Sequence, residues 1–332
     1  MLVTNQVRSH PSQLSSQVLL SAGTRQTFAS PKVIQETYFP GQPRRVFSQG
    51  FRSAFNNTVQ HEGVSLSYSV LDGHLLNVGA SNGDSILISI VLDGEATVWT
   101  NGEKRDLSAG SGVVILGGDH VVQSLEDTQT FILRIPSTSR LNLQIQATPH
   151  MVRDKLPRSM TKVEAAEFGR VFMFAANEID LRGGLDDFGR LLLGTLERYA
   201  THLFAQYIPP ADERPPETML DICRNVRVFL SGRGPKRTSL HELAQAGCCS
   251  LRQLHRAFEA VTRSTPADFA RRCQLNYLRS EIANRSAEQL DCHEPTISRA
   301  LRQAYADEFG EVLEETVRRQ GRLVKSILSK HV

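Results

Sequence analysis

Between residues 64 and 136, apolar and polar residues alternate in short runs, as they do in half-buried β-strands. Pairs typical of turns separate the runs: Asp72-Gly73, Asp93-Gly94, Asn101-Gly102 and Ala109-Gly110. About seven short strands with turns every ~8–12 residues predict a barrel or a double-sheet roll. The predicted strands are VSLSYSV (64–70), HLLNV (74–78), ILISIVL (86–92), EATVWT (95–100), EKRDL (103–107), GVVIL (112–116) and TFILRIP (130–136).

From residue 159 to about 208 the apolar residues recur at the 3.6-residue period of an α-helix. Two helices are predicted there. The first carries Val163, Ala166, Phe168, Val171 and Phe172, and the second carries Phe188, Leu191, Leu192, Leu196 and Tyr199.

Residues 238–283 predict a helix, a short turn, a second helix and a connecting helix that begins at Thr265-Pro266. Leu240, Leu243 and Ala244 form the apolar face of the first helix. Gly247 is predicted to end that helix in the left-handed conformation. Ser250 is predicted to cap the second helix, because serine oxygens accept hydrogen bonds from first-turn N–H groups.

The second helix has the side chains of a DNA-reading helix. Leu251, Leu254 and Phe258 are predicted to point inward, and Arg252, Gln253 and Arg256 outward. Arginine pairs with the O6/N7 edge of guanine and glutamine with the N6/N7 edge of adenine, so these residues suit a major groove. In the connecting helix, Phe269, Cys273, Leu275, Leu278 and Ile282 are predicted to face inward, and Arg271, Arg272 and Arg279 outward. The alternative is an amphipathic hairpin with a solvated charged face.

These motifs resemble the AraC/XylS family of bacterial transcription regulators, and the XylS-like members most. The resemblance covers ELA, SLRQLHRAF and TPADF in residues 238–283, and YADEFGEVLEETVRR at residues 305–319. It implies a DNA-binding unit of two helix-turn-helix motifs joined by a long helix. It also implies a cupin-like sensing barrel in the N-terminal half, so the predicted fold class is α+β and multidomain. The helices after the barrel then form a dimer interface; the alternative is that they only cover the barrel.

The second motif departs from the family pattern. Gln289-Leu290, Glu294-Pro295 and Leu301 stand where the family usually has Ile-Ala, Gly-Phe and Phe. Pro295 is predicted to begin a recognition helix whose buried stripe is Ile297, Leu301 and Tyr305. The resemblance places further DNA contacts at Thr296, Ser298, Arg299 and Arg302.

The predicted organisation has six parts: a mobile lead-in (1–45), the barrel (46–158), the helical segment (159–208), a Pro-rich linker (209–217), the DNA-binding domain (218–320) and a tail (321–332). Net charge is only +3, yet residues 218–290 contain 12 Lys and Arg against 6 Asp and Glu. This local charge of +6 suits phosphate contacts; a merely solvated basic face is the alternative.

The N-terminus lacks the pattern of a secretory signal and no apolar run is long enough for a membrane span, so we expect a cytoplasmic protein. Five cysteines without C-x-x-C spacing predict neither a disulfide framework nor a zinc site. Cys248-Cys249 is interpreted as a pair of semi-buried turn residues, with a thiol sensor as the alternative.

A metal-dependent cupin enzyme is the rival function. Its candidate ligands are His61, Glu62, His74 and His120, but no His-x-His pair with a downstream Glu and His accompanies them. We therefore expect no enzyme, no metal and no cofactor. The expected partners are promoter DNA, RNA polymerase (implied by the resemblance) and a second copy of the chain. A small-molecule effector is a further candidate, an aromatic acid among others, and a ligand-free regulator is the alternative.

Overall fold

The computed structural model describes residues 18–38, 46–47, 50–78, 85–100, 103–116, 121–148, 159–204, 216–234, 236–284 and 298–319. A bent antiparallel sheet comes first and helices follow it. The strands are β1 (Thr24–Phe28), β2 (Val46–Phe47), β3 (Ser53–His61), β4 (Val64–Val78), β5 (Ile86–Thr100), β6 (Glu103–Ser108), β7 (Gly112–Ile115) and β8 (Val121–Ile135). The helices are α1 (Pro31–Tyr38), α2 (Arg140–Ala147), α3 (Lys162–Leu181), α4 (Asp187–Ala200), α5 (Glu217–Arg233), α6 (Leu240–Ala246), α7 (Leu251–Thr262), α8 (Pro266–Asn284) and α9 (Arg299–Phe309).

The sheet has the order β1-β3-β4-β8-β5-β6, with β2 paired to β4 and β7 paired to β5. Two predicted turns are wrong. Asp72-Gly73 and Asp93-Gly94 lie inside continuous 15-residue strands, where the pairing with β8 shifts register. A β-bulge needs the same positive φ as a tight turn, so an Asp-Gly pair is typical of both. A Cβ at Gly94 would lie 2.2 Å from the Asp127 carbonyl oxygen, so this close approach requires glycine.

The segment predicted as a mobile lead-in is partly folded. β1 pairs along its length with β3, and Leu19 and Leu20 are buried in the main core. That prediction is therefore wrong for residues 18–38. This segment contains few apolar residues, but they are enough for it to pack on a sheet that the rest of the chain already forms. Residues 1–17 lie outside the described part of the chain.

Helices α3 and α4 lie against one face of the sheet. Their Phe168, Phe172, Leu193 and Leu196 share a buried cluster with Leu66, Ile88 and Leu133 of the strands. Thr161 caps α3 and forms a capping box with Glu164, and Asp186 caps α4. The 3.6-residue pattern therefore predicted both helices correctly, and one face of each covers the sheet.

The C-terminal helices α5, α6, α7 and α8 enclose a second core, whose largest members are Phe258 and Phe269. Helix α2 was not predicted; it lay inside the segment assigned to the barrel, yet its Leu143 and Ala147 belong to this second core. Residues 205–215, which include most of the predicted linker, lie outside the described residues, and α5 begins at Glu217. The predicted α+β class, a curled sheet with helices followed by an all-α unit, is confirmed.

Candidate nucleic-acid interface

Helices α6 and α7 form the first helix-turn-helix. Ser239 and Ser250 each accept a hydrogen bond from the N–H three residues later. In return, the side-chain oxygens of Glu242 and Gln253 accept one from the backbone N–H of Ser239 and Ser250. Both helices therefore begin with a capping box. In Glu242 the pKa is lowered, chiefly by the hydrogen bond from the Ser239 N–H.

The turn between them differs from the prediction in one detail. Gly247 has φ −76°, and the left-handed residue is Cys248 with φ 51°. Gly247 is needed for space, because a Cβ there would lie 3.2 Å from Ile222 Cγ2 and 3.3 Å from Cys249 Sγ. The absent side chain lets α5 approach the turn.

Helix α7 presents a cationic face to solvent. Leu254, Ala257, Phe258 and Val261 are buried, while Arg252, His255 and Arg256 are exposed. Within the described residues, neither Arg252 nor Arg256 forms a hydrogen bond or an ion pair. One helical turn separates these two guanidinium groups, so both can reach one groove. Leu251, predicted to point inward, is partly exposed at the start of the helix.

Ser250 and Gln253 are engaged with each other at the start of α7. Oε1 of Gln253 accepts hydrogen bonds from the Ser250 N–H and hydroxyl, both at 2.9 Å. The Gln253 side chain is exposed, but contact with a base edge through this oxygen would have to replace the capping box.

The connecting helix α8 corrects two predictions. Arg271 is exposed, with Nη2 3.5 Å from Asp268 Oδ1, as expected for an outward residue. Arg272 is enclosed: an Nη1–H donates to the Ala147 carbonyl and Nε lies 3.7 Å from Glu308 Oε1. Arg279 is also buried, with its guanidinium 4.5 Å from the centre of the Phe309 ring. Elements distant in sequence cover these two arginines, so neither points outward as predicted.

The helix predicted for the second motif is present as α9, and Ser298 caps it by accepting from the Leu301 N–H. Arg299 is exposed and, among the described residues, has no hydrogen bond or ion pair. Arg302 is held by Glu314, 2.5 Å away. Of the four candidates on this motif, Thr296 lies outside the described residues, as do Pro295 and Ile297.

Helix α9 is well seated despite its departure from the family pattern. Tyr305 is fully buried, and its hydroxyl is 3.0 Å from that of Thr316 in the helical residues 313–319. Burial raises the pKa of Tyr305. Leu275 and Ile282 of α8 pack in the same cluster. This motif therefore presents a rigid helix that carries one unpaired arginine, compared with two on α7.

Two basic residues that the sequence analysis did not select lie beside α6. Lys236 and Arg237 are exposed immediately before its capping box, and Arg263 is exposed at the left-handed end of α7. The Lys-Arg pair next to a capped helix start was the available signal, since helix N-termini and basic side chains together bind phosphate.

An open cavity of about 770 Å³ lies against the sheet on the face opposite α3 and α4. Its described lining combines hydroxyl groups of β4 and β8 and one cation with apolar side chains. The polar residues are Ser65, Ser67, Ser69, Thr128, Thr130 and Arg134, and the apolar ones include Phe28, Ile34, Leu71, Leu75, Leu87, Leu125 and Ile132. Arg134 Nε donates to Ser85 Oγ at 3.0 Å, and none of the described carboxylates pairs with it. A cavity of this size accommodates a small molecule, and its lining offers hydrogen bonds and one positive charge.

The residues considered for a metal site do not converge. His61 Nε2 is 3.9 Å from Glu62 and His74 Nε2 is 3.7 Å from Glu126, while His120 lies outside the described residues. The described residues contain no group of three His, Cys, Asp or Glu side chains able to hold a metal. Among the cysteines, burial raises the pKa of Cys223 to about 12, so its thiol is unreactive at neutral pH. None of the described helices is long and apolar enough to cross a membrane.

No protein-family model and no curated protein matches the chain. Solved structures do. The AraC-like transcriptional activator CuxR is 12% identical and covers 89% of this chain and 100% of its own, with a TM-score of 0.39. Apo ToxT from Vibrio cholerae is 10% identical over 79% of this chain and 99% of its own, with a TM-score of 0.35. A Cupin 2 conserved barrel domain protein from Salinispora arenicola is 16% identical over 26% of this chain and 76% of its own, with a TM-score of 0.22. At these identities and TM-scores, the similarity does not establish what this chain does.

Proposed function

We propose that this chain is a transcription regulator of the AraC/XylS type that binds promoter DNA through two helix-turn-helix motifs. The observation that carries the proposal is the outer face of α7, where Arg252 and Arg256 are exposed and unpaired among the described residues. Most other described arginines of this domain are held by carboxylates or carbonyls. Because the other arginines are paired within the chain, the unpaired ones mark the surface that is available to phosphate groups and base edges.

We propose the following DNA-contacting residues. On the first motif they are Ser250, Arg252, Gln253 and Arg256, with Arg271, Lys236 and Arg237 as phosphate contacts. On the second motif they are Thr296, Ser298, Arg299 and Arg302. Arg272 is excluded because the protein itself encloses it. Separate recognition helices on one long helix suit two major-groove segments about 34 Å apart.

The cavity in the sheet supports a small-molecule effector. Its lining combines apolar side chains with serine and threonine hydroxyls and the guanidinium of Arg134, which favours a ligand with an apolar body and an anionic group. Such a ligand acts only if it favours one of two arrangements of the reading helices. Activation through contact with RNA polymerase follows from the family resemblance alone, and transcription in vitro with and without the protein decides between activation and repression.

The exposed side of α3 supports a homodimer. Val163, Phe174 and Leu181 are exposed apolar residues, and their spacing of three and two helical turns aligns them in one stripe. An aligned apolar stripe on the surface fits a self-complementary interface, in which the same patch of each copy meets the other. The helices then cover the sheet with one face and dimerise with the other.

The direct test is DNA binding by the purified chain. Fluorescence anisotropy on its own upstream DNA and on a genomic pool, with competitor and a salt titration, measures specific affinity. We expect specific binding that Arg252→Ala/Arg256→Ala abolishes, while Arg190→Ala, an exposed arginine on α4, binds normally. Binding of all sequences with equal affinity, or full affinity in the double variant, would refute the proposal.

A further inference from the structure

Helix α2 has an apolar pattern that suits two partners at once. Leu141, Leu143, Ile145 and Ala147 alternate with polar residues, which is the pattern of a strand. In a helix, residues two apart differ by about 200° around the axis, so this alternation creates two opposite apolar faces. Leu141 and Ile145 belong to the core beneath the sheet, and the other two residues belong to the core of the first helix-turn-helix. One eight-residue helix therefore closes both cores.

A buried polar edge fixes α2 to the DNA-binding unit. Gln146 Oε1 accepts from Nε of Arg227 on α5 at 2.5 Å, and Gln146 Nε2 donates to Asn142 Oδ1 at 2.9 Å. All three residues are at most 5% exposed. Buried polar groups must keep their partners, because an unsatisfied one costs about 1–3 kcal/mol. Sliding of α2 against α5 would break the bond between Gln146 and Arg227, so the two helices move together.

The C-terminal end of α2 reaches the second recognition helix through Arg272. This arginine of α8 donates to the last carbonyl of α2, at Ala147, and its Nε is 3.7 Å from Glu308 Oε1 on α9. The Arg272 and Glu308 side chains are 13% and 12% exposed. A cation at a helix C-terminus is favoured by the helix dipole, and the shielding from water strengthens its attraction to Glu308. Arg272 thus joins three elements from distant parts of the chain.

The N-terminal end of α2 continues from the strand that lines the cavity. β8, whose Thr128, Thr130 and Arg134 face the cavity, ends at Ile135, and Ser139 caps α2 four residues later. A displacement of β8 therefore reaches α2 by a short, covalently continuous path that does not include residues 205–215.

We propose that α2 is the element through which the sheet domain sets the position of the DNA-reading helices. In this arrangement, Arg272 is the positioning residue that extends the control to α9. This inference rests on the proposed function for its meaning, and it assigns Arg272 a role inside the protein in place of a phosphate contact. The sheet and the first motif form one mechanical unit, and α9 is held to that unit by the Arg272–Glu308 pair.

Hydrogen exchange in the absence of DNA tests the coupling. Ile145→Val and Ile88→Val each remove one methyl group from the same cluster, at positions that are 1% and 0% exposed, but only the first lies on α2. We expect Ile145→Val to raise exchange about two- to ten-fold in α7 as well as in the sheet, and Ile88→Val to raise it in the sheet alone. The same pattern in both variants would overturn the role of α2.

Arg272→Gln and Glu308→Gln test the link to α9, with Arg190→Gln, an exposed arginine on α4, as the control. The two variants are expected to raise exchange at residues 299–309 but not in α7, and the double variant to do no more than either single. With wild-type-selected DNA, the second protected segment should disappear while the first persists. Arg272→Lys, which retains the charge, should restore part of the protection.

Three results would overturn the role of Arg272. Unchanged exchange and footprint would show that the pair positions nothing. A salt slope smaller by about one with both segments protected would mean a direct phosphate contact. An equal loss in both segments with a lower Tm would mean a general structural role. If the wild-type chain bound no specific DNA, the proposed function would fail, and the exchange measurements would still decide the coupling.

Discussion

At the scale of single residues, function depends on which cations the fold leaves free. Arg252, Arg256 and Arg299 are exposed and unpaired among the described residues, whereas Arg272, Arg279 and Arg302 are held by contacts within the chain. An arginine already bound to carboxylates must lose them before it contacts DNA, so its net contribution to binding is smaller. Helical periodicity alone could not separate the two groups, because Ala147 and Glu308, which enclose Arg272, come from elements far away in sequence.

Arg252→Ala and Arg256→Ala are each expected to cost about 1–3 kcal/mol of specific binding, because each removes a bidentate donor from the groove. Competition anisotropy against single-base variants of the selected site measures this cost. Each loss should be concentrated at one base position. Wild-type affinity in both variants would remove these arginines from the base-reading set.

Arg271→Ala should weaken binding to all sequences alike and reduce the salt slope by about one, because it removes one phosphate contact without touching a base. The slope of log K against log salt concentration, for specific and random DNA, gives the answer. An effect confined to one base position would contradict this assignment.

At the scale of elements, capping residues and the 3.6-residue period predicted the helices. The strands were predicted in the right places, but two continuous strands were each divided into two. Ser239, Ser250 and Pro266 lie where their chemistry places them, at helix starts. The sequence predicts turns at Gly73 and Gly94 because these bulges and a tight turn both require a positive φ. Helix α2 was not predicted, because a helix with two buried faces has the alternating apolar and polar residues that are typical of a strand. The sequence does not show what packs on each face; the tertiary structure does.

The second recognition helix is expected to contribute less than the first. Arg299→Ala and Arg302→Ala should each cost less specific affinity than Arg256→Ala, because Arg302 is occupied by Glu314 and α9 offers one unpaired arginine. Affinities of the three variants for one selected site, at one salt concentration, make the comparison. A larger loss at either position would mean that the departure from the family pattern has not weakened this motif.

The apolar stripe of α3 predicts the oligomeric state. Phe174→Glu and Leu181→Glu, at positions 53% and 81% exposed, should convert a dimer to a monomer without unfolding it, since charges on an interface are costly but are harmless in water. Val228→Glu on α5, where valine is 60% exposed, is the matched control. Sedimentation equilibrium distinguishes the outcomes, and unchanged mass in both α3 variants would place the interface elsewhere.

At the scale of the whole molecule, α2 joins the core beneath the sheet to the core of the C-terminal helices. The sequence predicts a barrel, a helical segment that dimerises or covers the barrel, a linker and a DNA-binding domain, and these assignments stay predictions. It did not predict that the end of the barrel enters the core of the reading unit through Leu143 and Ala147. The sheet with α3 and α4 on one side, and the C-terminal helices on the other, therefore pack on two cores that α2 joins.

We propose above all that this chain presents two helices, α7 and α9, to DNA. Hydroxyl-radical footprinting of the full-length chain on DNA that it selects from a genomic pool tests it most directly. We expect two protected major-groove segments about one helical turn apart, both lost in Arg252→Ala/Arg256→Ala. Protection of no defined sequence, at any salt concentration, would contradict it.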